Sequence, residues 1–167
     1  TVEKIRDEIL DRALDIISRE GYDNLTMRRL GDCLGCAAKT IYNYYCSKEE
    51  IYLRVLTRGF ETLNSCADKA IEGVEDPMEK LRIMSNVYIR FGMKNVNYYN
   101  IMFNRDVPKY TSYVGTSLAE VAKEAKDTAM YYAGTSEKAL SEILRSHGET
   151  STEDVSFQLI RIWSGLH

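Results

Sequence analysis

One stretch, residues 26–48 (TMRRLGDCLGCAAKTIYNYYCSK), constrains the fold more than any other part of the chain. Thr26 has the side chain of a helix N-cap, and it precedes a helix predicted to run from Met27 to about Leu34. Gly35 follows, and glycine adopts the left-handed backbone conformation that commonly ends a helix. A second short helix is predicted from residue 37 or 38 to about residue 44. The stretch is therefore expected to form two short helices joined by a tight turn.

This spacing of helix, glycine turn and helix is typical of a DNA-binding helix-turn-helix, whose second helix enters the major groove. Between Asn24 and Lys48 there are four basic side chains and one acidic, a local formal charge of +3 in a chain whose net charge is −3. Contact with phosphates requires such local positive charge, whatever the total. A basic, solvated helix face has the same composition, so the charge alone does not decide between the two.

Lys48 is the most informative of these basic residues. It occupies the first position of the next predicted helix, where Ser47 and Glu50 are spaced as a capping box. The helix dipole disfavours a cation at that position by a few tenths of a kcal/mol up to about 1 kcal/mol. A lysine beside free N–H groups is explained if both face a phosphate. The alternative is a side chain that extends into water beside Glu49.

The residues before this stretch predict the third helix of a small domain. Apolar side chains repeat at helical spacing over residues 3–20, and Gly21 is placed to end that helix. Two short helices alone could not bury enough apolar surface to stay folded, so we expect the first helix to lie across them. The apolar positions of the first helix are Ile5, Ile9, Leu10, Ala13, Leu14, Ile16 and Ile17, and the opposing faces are Leu30, Leu34, Ile41 and Tyr45.

Together these residues resemble a known family. The pattern resembles the DNA-binding head of TetR-type bacterial transcriptional regulators over roughly the first fifty residues. It comprises Gly21, Thr26, Leu30, Gly35–Cys36–Ala37, Thr40–Ile41–Tyr42, Tyr44–Tyr45 and Ser47–Lys48–Glu49. The chain departs from the family where alanine often stands at Gly31, valine at Cys36 and serine at Ala37. Alanine is a weaker N-cap than serine by about 1 kcal/mol, so we expect the start of the recognition helix to fray.

The resemblance assigns roles to residues of the head. Helix geometry by itself places Ile41 and Tyr45 inward, four residues apart, and Ala38, Lys39, Tyr42 and Asn43 outward. By resemblance, phosphates are held by Thr40, Tyr42, Tyr44 and Lys48, base edges are faced by Ala38, Lys39 and Asn43, and the flanking backbone is reached by Thr26 and Arg28. Hydroxyl and ammonium donors suit phosphate oxygens, and lysine suits guanine O6 and N7. The alternative for the two tyrosines is aromatic packing on the next helix.

The remaining chain is helical by pattern, which predicts an all-α fold. Residues 1–47 are expected to form a three-helix DNA-binding head, and residues 48–167 a helical bundle for regulation and dimerisation. Gly134 is predicted to end a helix that carries Val114, Leu118, Val121, Ala125 and Ala129. The predicted helices cover about residues 48–71, 77–94, 98–103, 110–132 and 136–147, and a last one begins near Thr152. The apolar pattern is still running at His167, so we expect more chain beyond it.

The second half carries a looser resemblance. Residues 98–103 and the run from Trp163 to His167 resemble the regulatory domain of a TetR subgroup marked by a Trp-x-x-x-His-Gly signature. The family implies a homodimer on a palindromic double-stranded DNA operator, most simply a repressor released by a small molecule bound between helices. Ordinary core packing is the alternative for each pocket candidate. These candidates are Tyr88, Phe91, Tyr98, Met102, Tyr131 and Trp163.

Other classes of function find little support in the residues. There are two histidines, and no zinc-protease, P-loop, dinucleotide-binding or nucleophile-elbow motif, so we expect no catalytic residues and no cofactor. A carboxylate site stays open, because there are 25 acidic residues. Cys33 and Cys36 have C-x-x-C spacing without a second pair or a nearby histidine. We therefore expect no metal, and predict that both are reduced and packed as small hydrophobes.

The expected compartment is the cytoplasm. No apolar run approaches the roughly 20 residues of a membrane helix, and the first ten residues are charged and amphipathic, unlike a signal peptide. Two alternatives to the ligand-released repressor remain open. One is a DNA-binding regulator without an inducer, acting as an activator or through protein contacts. The other is a helical protein-interaction module with no role on DNA.

Overall fold

The structure, a computed structural model, describes residues 1–103 and 110–148, together with Val155 and Arg161. Within these residues the chain is helical and contains no strand, as the all-α prediction requires. The α-helices are α1 (Val2–Glu20), α2 (Met27–Leu34), α3 (Ala38–Tyr42), α4 (Lys48–Ile71), α5 (Pro77–Lys94), α6 (Val96–Phe103) and α7 (Ala119–Ser146). Two short 3-10 helices, η1 (Tyr22–Asn24) and η2 (Tyr110–Tyr113), lie between them.

The described residues form two compact units. The first contains residues 1–60 and 95–127, and the second contains residues 61–94 and those described from 128 onward. The head boundary after residue 47 stays a prediction, because the first unit also includes the start of α4, together with α6, η2 and the start of α7.

The core of the head follows the predicted pattern. On α1, Ile9 and Ala13 are buried, and so are Leu30 of α2 and Ile41 of α3, which are 0% and 1% exposed. The N–H of Gly21 donates to the carbonyl of Ile17, and a φ of 89° at Gly21 ends the helix as expected. Ile5 departs from the prediction, since it is exposed, and the buried stripe of α1 begins at Ile9.

Helices α2 and α3 approach each other most closely at Gly31. A Cβ atom there would lie 2.6 Å from the carbonyl oxygen of Cys36 and 3.1 Å from the backbone nitrogen of Ala38. Both neighbours are backbone atoms of the turn and of α3, so they can move only if the helix moves. Glycine at this position therefore allows a tighter helix pair than alanine would.

Helix α7 corrects the prediction of a break at Gly134. It runs without interruption from Ala119 to Ser146, 28 residues. A glycine inside a helix costs only about 1 kcal/mol relative to alanine. Tyr132 and Ala139, on either side of the glycine, are both 3% exposed, and their burial outweighs that cost. The predicted start was also wrong, because Val114 is 78% exposed and lies outside the helix.

The second unit has its own apolar interior. Met84 and Tyr88 of α5 are each 2% exposed, and the hydroxyl of Tyr132 donates to the carbonyl of Met84 at 2.5 Å. Further along α7, Leu140 packs with Val155, and Leu81 and Leu144 lie against this pair. Val155 and Arg161 are helical. The predicted helix start at Thr152, and Trp163 and His167, lie outside the described residues.

Two glycines offer a matched test of this packing. Gly31→Ala is expected to destabilise the protein by about 1–3 kcal/mol, because the new methyl group meets immobile backbone. Gly134→Ala is the control: no atom lies within 4 Å of its Cβ position, and alanine there should stabilise the helix by about 0.5–1 kcal/mol. Urea unfolding of both variants measures the difference, and an unchanged midpoint for Gly31→Ala would contradict the close approach.

Candidate DNA-binding surface

Helix α2 is fixed at both ends as the sequence predicted. The side chain of Thr26 caps its start, since the Thr26 hydroxyl oxygen accepts from the N–H of Arg29 at 3.1 Å. Gly35 ends it in the left-handed conformation, with φ 68° and ψ 30°. Because both ends of α2 are fixed, the turn that leads to α3 begins at a defined residue, Gly35.

Helix α3 presents a polar side and hides an apolar one. Ile41 is 1% exposed and Tyr45, just past the helix, is 4% exposed, so both point inward as predicted. The side chains of Lys39, Thr40 and Asn43 are exposed, Tyr42 is 55% exposed, and Ala38 and Tyr44 are half-buried. The helix ends at Tyr42, two residues earlier than expected, and Ala37 provides no side-chain cap.

Arg6 of α1 holds the end of α3. Its guanidinium donates to the carbonyl of Tyr44 at 2.6 Å and lies 4.9 Å from the ring centroid of Tyr45. A cation suits the negative end of a helix dipole, and a guanidinium stacks well on an aromatic ring. The sequence analysis missed Arg6, because its partners are 38 and 39 residues away and no local pattern joins them.

The local positive charge is smaller than the sequence suggests. Arg29 forms an ion pair with Glu20 at 2.5 Å, so one of the four basic groups is already matched. Arg28 and Lys39 are exposed, and neither forms an ion pair with any residue that the structure describes. They therefore present positive charge to the solvent around α3.

The start of α4 differs from a regular capping box. The hydroxyl of Ser47 accepts from the N–H of Glu50 at 3.2 Å, as expected. The carboxylate of Glu50, however, accepts from the N–H of Cys46 at 2.7 Å, one residue before the predicted donor. Cys46 lies in the turn between α3 and α4, so the Glu50 carboxylate binds the N–H of the residue before Ser47.

Lys48 is held by an aromatic ring that the sequence analysis did not consider. Its ammonium nitrogen lies 4.6 Å from the ring centroid of Tyr22 in η1. The ring of Tyr22 meets that of Tyr52 edge-on, with centroids 4.9 Å apart and planes at 65°. Lys48 is half-buried, so part of its side chain is covered by its neighbours.

Tyr22 and Tyr52 belong to a buried cluster with two tyrosines of η2. Burial raises the pKa of the phenol in Tyr22, Tyr52, Tyr110 and Tyr113 alike. Tyr22 and Tyr113 also affect each other's pKa through their hydroxyl groups.

Comparison with known proteins decides the family. Residues 9–55 match the family of bacterial regulatory proteins described as the tetR family. Residues 9–55 therefore form a segment of the tetR-family type. Over 79 residues it is 33% identical to the HTH-type transcriptional repressor KstR of Mycolicibacterium smegmatis, a match that covers 47% of this chain and 39% of that protein. Over 101 residues it is 27% identical to the HTH-type transcriptional activator FasR of the same species, covering 60% and 46%. The chain thus spans less than half the length of these relatives.

Solved structures show the same fold across the chain. A TetR-family transcriptional regulator from Bordetella parapertussis superposes with a TM-score of 0.77 at 17% identity, covering 98% of this chain and 81% of that one. FadR from Bacillus subtilis in complex with stearoyl-CoA gives 0.72 at 18% identity, covering 95% and 81%. AibR in complex with isovaleryl coenzyme A and operator DNA gives 0.74 at 16% identity, covering 95% and 82%.

The cysteines of this TetR-type head are more exposed than predicted. Cys33 is exposed, not packed, because Leu30 and Gly31 supply the buried face of α2. Cys36 is half-buried after the turn. Within the described part of the chain, no group of three or more histidine, cysteine or acidic side chains is placed to hold a metal ion.

The predicted pocket residues have varied surroundings. Tyr98 and Met102 of α6 press on α4, where a Cβ at Gly59 would meet them at 2.7 and 2.9 Å. Tyr88 and Phe91 are buried, whereas Tyr131 is half-exposed and its hydroxyl bonds Asp68 at 3.1 Å. A groove of about 290 Å³ in the first unit is lined by residues other than these predicted ones. It is lined by Tyr110, Thr111, Val114, Ala119, Glu120, Ala122, Lys123 and Lys126. Trp163 lies outside the described residues.

None of the helices that the described residues form is long and apolar enough to cross a membrane.

The uncapped start of α3 gives one prediction. Ala37 has the extended backbone of an N-cap, with φ −69° and ψ 147°, but no side-chain acceptor. Ala37→Thr supplies a hydroxyl oxygen there, while Ala37→Val supplies the same shape without it. We expect the threonine variant to be more stable than the valine variant by about 1 kcal/mol in urea unfolding. Equal midpoints would show that a cap at this position does not stabilise α3.

The buried tyrosines give a second prediction. In the unfolded chain phenols ionise near pH 10, whereas burial keeps those of Tyr22, Tyr52 and Tyr113 protonated to higher pH. The unfolded state therefore loses protons first, and the free energy of unfolding should fall as pH rises above about 10. Urea unfolding at about pH 9 and pH 11 measures the fall, which Tyr52→Phe should make shallower. A fall equally steep in that variant would place Tyr52 outside the effect.

Proposed function

We propose that this protein is a DNA-binding transcriptional regulator whose helix α3 reads a palindromic operator. One observation carries the proposal: buried Ile41 and Tyr45 anchor α3 and leave the side chains of Lys39, Thr40 and Tyr42 in solvent. A helix that is held on one side and polar on the other is what a major groove accepts. We divide the chain into a head, residues 1–47, and a helical regulatory and dimerisation domain, residues 48–167.

The proposed contacts fall into two groups. Thr26, Arg28, Thr40, Tyr42, Tyr44 and Lys48 contact the sugar-phosphate backbone. Lys39, with Ala38 and Asn43, faces base edges. Backbone contacts supply affinity and register, and base-edge contacts supply sequence preference. The exposed positions of Lys39, Thr40, Tyr42 and Asn43 support this division, and Tyr44 contributes less since it is half-buried.

The protein acts as a homodimer in this proposal. Two copies of α3 about one DNA turn apart, roughly 34–36 Å, meet the two half-sites of the operator. A small molecule in the helical domain stabilises a different separation of the heads and lowers DNA affinity by its differential binding energy. The relatives named KstR are repressors, which supports repression as the direction of control.

The class of effector to test first comes from structures with the same fold. FadR was solved with stearoyl-CoA and AibR with isovaleryl coenzyme A. The groove beside η2 has apolar walls together with Lys123 and Lys126, and an acyl thioester with a phosphorylated carrier offers matching chemistry. Isothermal titration of an acyl-CoA series, with free coenzyme A as control, tests this class. Heats no larger than those of the control would exclude it.

Other functions stay as alternatives. The relative FasR is named an activator, which favours the alternative that this protein activates transcription from its operator instead of repressing it. A member without an inducer, or one controlled by a protein, would bind DNA in the same way. A helical interaction module without a role on DNA would not. We infer no catalysis, because the relatives matched are transcriptional regulators, and we place the protein in the cytoplasm with the chromosome.

DNA binding itself should depend steeply on salt. Each phosphate neutralised releases counterions, so the logarithm of the affinity should fall with the logarithm of salt by about 0.9 per contact. Fluorescence anisotropy with a labelled duplex at several salt concentrations gives the slope. A protein-interaction module would show no such binding.

Variants of the head should separate affinity from sequence preference. Tyr42→Phe combined with Lys48→Ala should weaken binding to all duplexes alike, because both residues contact the backbone. Lys39→Ala should change the preferred sequence in a selection from random duplexes, with a discrimination of about 1–3 kcal/mol at the contacted base pair. Unchanged binding in the double variant would show that the DNA-binding face has been assigned wrongly.

A further inference from the structure

The sequence pattern assigns no role to Tyr22, yet this residue contacts the lysine proposed to bind phosphate. The ammonium of Lys48 lies 4.6 Å from its ring centroid, the distance of a cation–π contact. We propose that Tyr22 is a positioning residue for DNA binding, holding the ammonium of Lys48 where it meets a phosphate. This inference rests on the proposed function, and specifically on the DNA contact of Lys48.

A free lysine at this position would be a poor phosphate ligand. Its four-carbon side chain has about 2 kcal/mol of rotamer entropy to lose when it is fixed. It also starts at the first residue of α4, where the helix dipole repels a cation. An aromatic face offsets both effects, because its negative quadrupole attracts the ammonium before DNA arrives. The ammonium has three N–H donors, so those pointing away from the ring can donate to a phosphate.

The ring of Tyr22 is itself held firmly. Its edge-on neighbour Tyr52 is 1% exposed and cannot turn without opening the core of the head. The backbone of η1 is fixed as well, since the carbonyl of Tyr22 accepts from the N–H of Leu25 at 3.0 Å. Leu25 is 0% exposed, so this segment is tied to the interior. A ring held in this way provides a stable support for a flexible cation.

The contacts of the Tyr22 ring are with its edge-on neighbour Tyr52 and with the ammonium of Lys48. The ring, and not the hydroxyl group, makes the contact with the ammonium, so removing the hydroxyl alone should leave the positioning intact.

The test compares substitutions that keep or remove the ring. Tyr22→Leu removes the aromatic face and keeps an apolar side chain, Tyr22→Phe is the matched control, and Lys48→Met removes the charge. Affinity for a labelled random-sequence duplex is measured by anisotropy across a range of salt. Such a duplex suffices because phosphate contacts do not depend on sequence. Circular dichroism melting confirms that each variant is folded.

We expect Tyr22→Leu to weaken DNA binding by roughly 2- to 30-fold, the range of a cation–π contact, and Tyr22→Phe to bind like the original protein. Lys48→Met should weaken binding and lower the salt slope by about 0.9 for each copy of the protein on the duplex. The double variant Tyr22→Leu with Lys48→Met should bind no more weakly than Lys48→Met alone. A merely structural role for Tyr22 would instead add its loss to that of Lys48 in the double variant.

A second measurement needs no DNA. The ring should shift the proton resonances of the Lys48 side chain upfield, an effect kept in Tyr22→Phe and lost in Tyr22→Leu. Additive losses in the double variant, or unshifted lysine resonances in the original protein, would overturn the inference while leaving the DNA-binding function intact. Unchanged affinity in Lys48→Met would overturn the lysine contact and this inference together. Absence of salt-dependent DNA binding in the original protein would overturn the proposed function itself.

Discussion

Burial of Ile41 and Tyr45 is the constraint on which the head depends. Helix α3 has only five residues, far fewer than a helix needs to persist in water on its own. It has no N-terminal side-chain cap either, so tertiary contacts must hold it. The two buried side chains hold its inner face, and Arg6 bonds the carbonyl of Tyr44 just beyond its end. The outward side chains can then be polar, because they have no part in keeping the helix in place.

Local signals in the sequence predicted most of this head. Thr26 as a cap and Gly35 as a left-handed terminator each act within one turn of a helix, and each stands where expected. The pairing of Ile41 with Tyr45 depends only on helical spacing. For the same reason the bounds of α1, α2 and α4 were predicted closely. The resemblance to TetR-type heads added the functional roles, which spacing alone could not supply.

The misses have a common physical cause. A glycine such as Gly134 ends a helix only if its neighbours gain nothing from continuing it, and here Tyr132 and Ala139 are buried. The small apolar character of Cys33 suits a packed position, but residue type alone does not show which face of α2 is covered. The ligand pocket was hardest to predict. Aromatic residues at helical spacing suit a core and a cavity equally, and Tyr98 and Met102 pack against Gly59.

Contacts across long sequence separations could not be read from the chain. Arg6 meets Tyr44, and Tyr22 meets Lys48, only after α1, η1, α3 and the start of α4 have been placed around one core. The sequence shows a basic residue on α1 and an aromatic residue after Gly21, but the local pattern around each does not indicate which distant residue it contacts. Such pairs become visible only once the fold is known.

Glycine at position 31 also gives this head a closer contact between α2 and the turn before α3 than alanine would allow. Heads of this type often have alanine at the position, and here a methyl group would stand 2.6 Å from the Cys36 carbonyl oxygen. Two helices that touch backbone to backbone hold their outward residues at a spacing that a bulkier junction would widen by tenths of an ångström. Hydrogen bonds to base edges tolerate little displacement. Base-reading side chains transplanted from a relative with alanine would therefore not carry that relative's operator preference with them.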